Sequence, residues 1–166
     1  MTITHEREAV QMAPTREILK GDDIARKVIA ILGFGTVKVQ KADSATRFDQ
    51  LIREGFPVKS GDRLKAVLNL TDNQLADTLG LSPKTLQRKK KAHERLSRIE
   101  SDILFRNARI LVIATEVFED EKRAAEWMRN PQFGLGGRIP FEMIQTEAGA
   151  REVEDLLGRM EYGVYS

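Results

Sequence analysis

The chain has 166 residues, of which 41% are hydrophobic and 31% are charged, and its formal net charge at pH 7 is +2. This composition is that of a globular protein of one ordinary domain or two small ones, and it excludes an extensively disordered chain. The sequence has no cysteine and two histidines, which excludes disulfides and thiolate sites and disfavours an imidazole-based active site.

The charges are unevenly distributed along the chain. Residues 82–109 hold nine Lys or Arg against three acids, whereas residues 116–166 hold six against eleven. A basic middle and an acidic end indicate a nucleic-acid surface beside a part that meets a different partner.

The N-terminal segment helps to predict the cellular location of the protein. Residues 1–14 carry acids, lack the apolar run of a signal peptide and are interpreted as a flexible tail. No segment approaches the roughly 20 apolar residues of a membrane span. We therefore expect a cytoplasmic protein without a membrane partner.

Four elements are predicted before the basic region. A helix from Thr15 ends at Gly33, and "TVKVQ" at 36–40 alternates like a short strand. Ser44 is typical of the N-cap of a helix that stops at Gly55, and "GDRLKAVL" at 61–68 predicts another short helix.

Residues 72–91 have the spacing of a helix-turn-helix. Thr71 and Gln74 form the pattern of a capping box that opens a helix running to Leu79. Gly80 permits the left-handed backbone of a turn, and Ser82 followed by proline is typical of the start of a second helix. Small Ala76 and apolar Leu86 are spaced as the packing residues of such a pair.

The second of these helices is the predicted DNA-reading element. Its exposed basic and polar side chains suit base edges and phosphates. The predicted DNA-binding residues are Ser82, Lys84, Thr85, Gln87, Arg88, Lys89, Lys90 and Lys91. Lys89 departs from the pattern, because many such motifs carry an apolar residue there. The alternative is a solvated basic helix without a ligand.

Three helices are predicted in the C-terminal half. A capping box at Ser97 and Glu100 opens a long central helix with apolar residues on several sides, Ile99 among them. "EKRAAEWMR" predicts a shorter helix, and an amphipathic one follows Thr146. We expect Trp127 and Phe133 in the core and His93 on the surface.

The stretch "FGLGGRIP" at 133–140 raises the question of a phosphate loop. A dinucleotide fingerprint requires a preceding strand, and a P-loop requires Gly-Lys-Ser/Thr at its end; neither is present. Glu142 and Glu147 lack a catalytic partner. We therefore predict no catalytic residue, metal ligand or cofactor, and a turn that positions the last helix.

Three segments carry a resemblance to a known family. "WMRNP" at 127–131, "LGGRIPFEMI" at 135–144 and "TEAGAREVEDLLGRMEYGVYS" at 146–166 resemble the toxin-binding domain of Xre/MbcA/ParS antitoxins. The preceding helix-turn-helix is similar to the Xre-like half of these proteins. The resemblance implies an all-α fold, with a helical DNA-binding region at 15–96 and a toxin-binding domain at 97–166.

The function implied by the resemblance is that of a type II antitoxin. An antitoxin of this kind neutralises a RES-domain toxin by covering the toxin's active site, and it represses its own operon. The toxin degrades NAD+ or transfers ADP-ribose. Such antitoxins are typically homodimers on inverted-repeat operators and form larger toxin–antitoxin assemblies. The alternative is an orphan helix-turn-helix regulator whose C-terminal half dimerises or senses a ligand.

The candidate toxin-binding residues lie in the glycine-rich turn and at the chain's end. They are Arg138, Arg159, Glu161, Tyr162, Val164, Tyr165 and Ser166. Aromatic rings are favoured interface anchors, although the two tyrosines can instead pack back onto their own domain. Arg138 has two open roles, contact with the toxin or pinning of the turn.

Overall fold

A computed structural model of the protein describes residues 21–34 and 44–163. Within these ranges the chain forms α-helices joined by short turns, with one 3₁₀ helix and no named strand, which confirms the predicted all-α class. The helices are α1 (Gly21–Ile31), α2 (Ser44–Glu54), α3 (Ser60–Val67), α4 (Asp72–Thr78), α5 (Pro83–Lys91), α6 (Arg98–Phe118), α7 (Glu121–Arg129), the 3₁₀ helix Phe133–Leu135, α8 (Pro140–Met143) and α9 (Glu147–Glu161). None of the described helices is long and apolar enough to cross a membrane.

Helix α6 is the centre of the molecule. It packs against α1 and α2 from the N-terminal half and against α7 and α9 from the C-terminal half. Leu104, Ile110 and Leu111 are completely buried, and Phe105 contacts Phe48 of α2 with 4.9 Å between ring centroids. The predicted central helix is confirmed, and one continuous apolar core holds both halves together.

The predicted helix starts are confirmed where side chains cap them. Thr71 and Ser97 each accept a hydrogen bond from the backbone N–H three residues later, and Gln74 and Glu100 complete the two capping boxes. Gly80 has a φ of +69°, the left-handed conformation required by the turn. The predicted strand 36–40, residues 15–20 of the first helix and the tail 1–14 lie outside the described residues.

Two apolar residues are not where the sequence predicts them. Trp127 is buried beside Phe118, as expected, but Phe133 is 96% exposed, so its placement in the core was wrong. The 3₁₀ helix turns Leu135 inward instead, and Phe133 therefore points to solvent. Ile99 is 73% exposed because it lies in the first turn of α6, before the packed part of that helix begins at Ser101.

Candidate functional site

Helices α4 and α5 form the predicted helix-turn-helix. The wedge between them is filled by Leu75, Ala76, Leu79 and Leu86, all of them buried. The Leu81 amide donates to the Ala76 carbonyl at 2.8 Å and closes the turn. Leu86 is the one buried residue of α5, so most side chains of this helix lie at the surface.

Four of the predicted DNA-binding residues share one exposed face of α5. Lys84, Gln87, Arg88 and Lys91 stand at positions i, i+3, i+4 and i+7, and together they line a shallow groove. We call these four the reading stripe. Arg88 also pairs with Glu94 in the segment after α5, which restricts its guanidinium to the same edge of the helix.

Lys90 is turned away from the reading stripe. Its ammonium group donates to Asp62 of α3 at 2.8 Å and to Asp72 of α4 at 3.1 Å. Desolvation lowers the pKa of Lys90, but its bonds to Asp62 and Asp72 outweigh this and hold the pKa above its ordinary value. The ammonium therefore stays charged, and it ties α5 to the two preceding helices.

Lys89 is the most enclosed of the four basic residues at positions 88–91. Its side chain is 13% exposed, donates to the Arg95 carbonyl at 3.2 Å and lies 3.4 Å from the Glu100 carboxylate. Since Glu100 also closes the capping box of α6, this contact joins α5 to α6. A lysine thus occupies the place of the usual apolar residue without detaching the helix.

Ser82 and Thr85 serve the start of α5. The Ser82 hydroxyl accepts from the Thr85 amide at 3.1 Å and lies 2.8 Å from the Thr85 hydroxyl. The eight residues predicted as one set therefore fall into three groups: a capping pair, two lysines that tie α5 to its neighbours, and the reading stripe.

The glycine-rich turn is held to α9 by Arg138. Its Nε donates to the Leu135 carbonyl at 2.8 Å and its Nη2 donates to Glu152 at 2.6 Å. The backbone N–H of Gln132 donates to the Arg138 carbonyl at 3.0 Å and closes the base of the turn. The sequence leaves two roles open for Arg138, contact with a partner or pinning of the turn. Its bonds to Leu135 and Glu152 pin the turn, and the guanidinium remains half exposed.

The end of α9 carries the other candidate residues. Arg159 is exposed, whereas Glu161 and Tyr162 are partly buried. Burial raises the pKa of the Tyr162 hydroxyl, which has no hydrogen-bond partner within the described part of the chain. Tyr162 thus packs in part onto its own domain. Val164, Tyr165 and Ser166 lie outside the described residues.

Part of the acidic charge of α9 is paired with arginines of α6. Arg109 of α6 contacts Glu154 at 2.7 Å, and Arg106 of the same helix contacts Glu147 at 3.5 Å. Burial raises the pKa of Glu154 even though Arg109 opposes the change. The acids that remain for a partner are therefore fewer than the sequence count indicates.

The arrangement of exposed side chains suits binding through surface contacts. His93 is exposed, as expected, and within residues 21–34 and 44–163 no group of His, Asp and Glu is placed to hold a metal ion. Both halves pack on helix α6. The N-terminal half presents the reading stripe at its surface, and the C-terminal half presents the glycine-rich turn and the end of α9.

Two family models match adjacent parts of the chain. Residues 47–109 match the antitoxin Xre-like helix-turn-helix domain, and residues 114–163 match the antitoxin Xre/MbcA/ParS C-terminal toxin-binding domain. The first region contains the reading stripe, and the second contains the glycine-rich turn and α9. Their junction lies within α6, which explains why both halves share one core.

Curated proteins named "Antitoxin Xre" are similar to this chain. The protein of Yersinia enterocolitica is 34% identical over 116 residues, which cover 69% of this chain and 78% of the relative. That of Photorhabdus laumondii is 29% identical over 126 residues, covering 75% and 85%. That of Pseudomonas putida is 32% identical over 80 residues, covering 48% and 50%.

Proposed function

Because the chain belongs to the Xre/MbcA/ParS family of antitoxins, we propose that it neutralises a RES-type toxin and represses its own operon. The proposed toxin degrades NAD+ or transfers ADP-ribose, and the antitoxin covers its active site. One observation carries the proposal. The rigid helix α6 joins the half that presents the reading stripe at its surface to a domain of the toxin-binding type.

In the proposed DNA complex, α5 lies in the major groove with Lys84, Gln87 and Arg88 of the reading stripe against the bases and Lys91 against the phosphate backbone. Arginine and lysine suit guanine edges and glutamine suits adenine. Lys89 and Lys90 support this arrangement from the opposite side, because their ion pairs hold α5 at a defined angle to the neighbouring helices. The N-terminus of α5 at Ser82 is available to a phosphate.

Replacing Gln87 and Arg88 together with alanine is expected to relax operator preference by about 1–3 kcal/mol for each lost base contact. Lys91→Ala is expected to weaken binding to all sequences and to reduce the slope of log affinity against log salt by about one. Titration of operator and scrambled duplexes at several salt concentrations measures both effects.

The matched control for these variants is Lys122→Ala, which removes an exposed lysine of α7 outside the basic region. It is expected to leave both quantities unchanged. An operator preference unchanged by the Gln87 and Arg88 substitutions means that another face of the protein reads the DNA.

In the proposed toxin complex, the residues after α9 enter the toxin's active site. The overall acidic charge of residues 116–166 favours approach to a pocket built for nucleotide phosphates. Tyr162 marks the point where the helix ends, and Gly163, with a φ of +64°, redirects the chain after it. The candidates Val164, Tyr165 and Ser166 thus follow a fixed point of departure, and Glu161 and Tyr162 lie at the end of α9 just before it.

Removing residues 164–166 is expected to weaken neutralisation strongly and to leave operator binding intact. A longer deletion from residue 160 is a poorer test, because Met160 packs against the core and its loss perturbs α9 itself. Survival of cells that co-express the toxin measures the first effect, and an operator titration measures the second. Full protection by the truncated protein excludes the tail as the inhibitory element.

The proposed working form is a cytoplasmic homodimer on an inverted-repeat operator, which enters a larger assembly with the toxin. The competing function is that of an orphan regulator. Co-expression with the neighbouring gene separates the two: co-purification of a RES-domain protein supports the antitoxin function, and its absence favours the orphan regulator.

A further inference from the structure

Phe133 is an unusual surface residue. Among the described residues, the large hydrophobic side chains that are exposed are Phe133, at 96%, and Ile99, at 73%. A phenylalanine ring contributes a large apolar area, and its exposure in water is unfavourable relative to burial. The other aromatic rings of the described residues are buried or partly buried, so Phe133 stands apart from them.

The backbone around Phe133 is closely packed. A Cβ atom on Gly134 would lie 2.6 Å from a methyl group of Leu156, so the turn sits directly on α9 at this point. Leu135 is buried on the other side of Phe133, and Gln132 donates its side-chain amide to the Trp127 carbonyl at 2.8 Å. The ring is therefore held outward by a rigid turn, and little conformational entropy is lost when such a group binds.

The turn that carries Phe133 packs against the second half of α9. The residue it contacts there is Leu156, three positions before Arg159. Arg159 is one turn after Leu156 on the same face and has no ion pair or hydrogen bond within the described part of the chain. The turn that carries the exposed ring and the guanidinium of Arg159 therefore lie along the same face of α9.

We propose that Phe133 is a binding anchor that inserts into an apolar pocket on the cognate toxin. The pocket carries a carboxylate at its rim, opposite Arg159. The inference rests on the proposed toxin neutralisation and adds a second contact to it. The observation that names the toxin as the occupant is that the ring, and the rigid turn that carries it, belong to the matched toxin-binding region.

The test compares two alanine variants of the full chain. Phe133→Ala is expected to weaken binding of the RES-domain protein encoded beside the antitoxin gene by about 30-fold or more, as for interface anchors. Ile99→Ala is the matched control, since it removes an exposed apolar side chain from α6, outside the matched toxin-binding region. Isothermal titration calorimetry with the purified toxin measures both affinities.

Further measurements distinguish a binding anchor from a residue that stabilises the fold. Phe133→Ala is expected to leave Tm and operator binding unchanged, because the side chain makes almost no contacts in the free protein. Phe133→Leu is expected to retain part of the affinity. Arg159→Ala is expected to weaken binding less than Phe133→Ala.

The possible failures are distinguishable. If the wild-type chain binds the toxin and Phe133→Ala binds it equally well, the anchor is overturned and toxin neutralisation stands. If Phe133→Ala changes only the oligomeric state of the free antitoxin, a second copy covers the ring and the anchor is again overturned. If the wild-type chain does not bind the toxin, the proposed function itself fails, and the anchor with it.

Discussion

Gly149→Ala is expected to destabilise the protein by about 3 kcal/mol. A Cβ at this position would lie 2.0 Å from the Met143 carbonyl oxygen and 2.7 Å from its carbon. Both atoms belong to the backbone at the end of α8 and cannot rotate away. Thermal unfolding is expected to show a Tm lower by roughly 10 °C.

Gly158→Ala is the matched control in the same helix. A Cβ there meets nothing within 4 Å, and alanine is preferred over glycine in a helix interior by about 0.5–1 kcal/mol. The same chemical change is therefore expected to stabilise the protein at position 158 and destabilise it at position 149. Equal Tm shifts for the two variants would contradict the close approach of α8 and α9.

The expected cost at Gly149 also explains why a glycine stands three residues after Thr146. Thr146 accepts a hydrogen bond from the Gly149 amide at 3.1 Å and caps α9. The missing side chain of Gly149 lets the first turn of α9 rest on α8. Together the two residues determine where α9 starts, and hence where Tyr162 and the tail leave the domain.

Leu86→Ala is expected to cost about 3 kcal/mol of stability and to abolish operator recognition. Leu86 is 1% exposed and is the one buried residue of α5. Its truncation leaves a cavity between α4 and α5, so the reading stripe loses its defined angle. We expect binding of the proposed toxin to persist at temperatures where the variant is folded, because α9 lies outside the helix-turn-helix.

Leu86→Met is the control, because it keeps the volume and is expected to cost less than about 1.5 kcal/mol. Chemical denaturation measures stability, and an operator titration in the cold, where the alanine variant is folded, measures recognition. If the alanine variant keeps full operator affinity, the ion pairs of Lys89 and Lys90 are sufficient to position α5 without the buried leucine.

Much of the local structure could be predicted from the sequence. The capping boxes at Thr71 and Ser97 and the Ser82-Pro83 helix start depend on groups within three residues of one another, and the structure confirms them. The family could be recognised as well, because its motifs are short runs with fixed spacing. The assignment of residues to DNA and toxin contacts remains a prediction.

The roles of the basic residues at 88–91 depend on tertiary structure. Lys89 and Lys90 have the same chemistry and adjacent positions, yet one reaches Glu100 and the other reaches Asp62, 28 residues away. Nothing within a helical turn identifies these partners. Only the packing of α5 against α3, α4 and α6 decides which cations remain at the exposed face of α5.

The sequence by itself determined the helices, their caps, the helix-turn-helix and the family, because each depends on short-range hydrogen bonds or on motif spacing. Tertiary structure alone decided that Phe133 faces solvent while Leu135 is buried. Both residues are apolar and stand two positions apart in a turn without a periodic face. Which of them turns inward depends on the contact of Gly134 with Leu156, a residue more than twenty positions away.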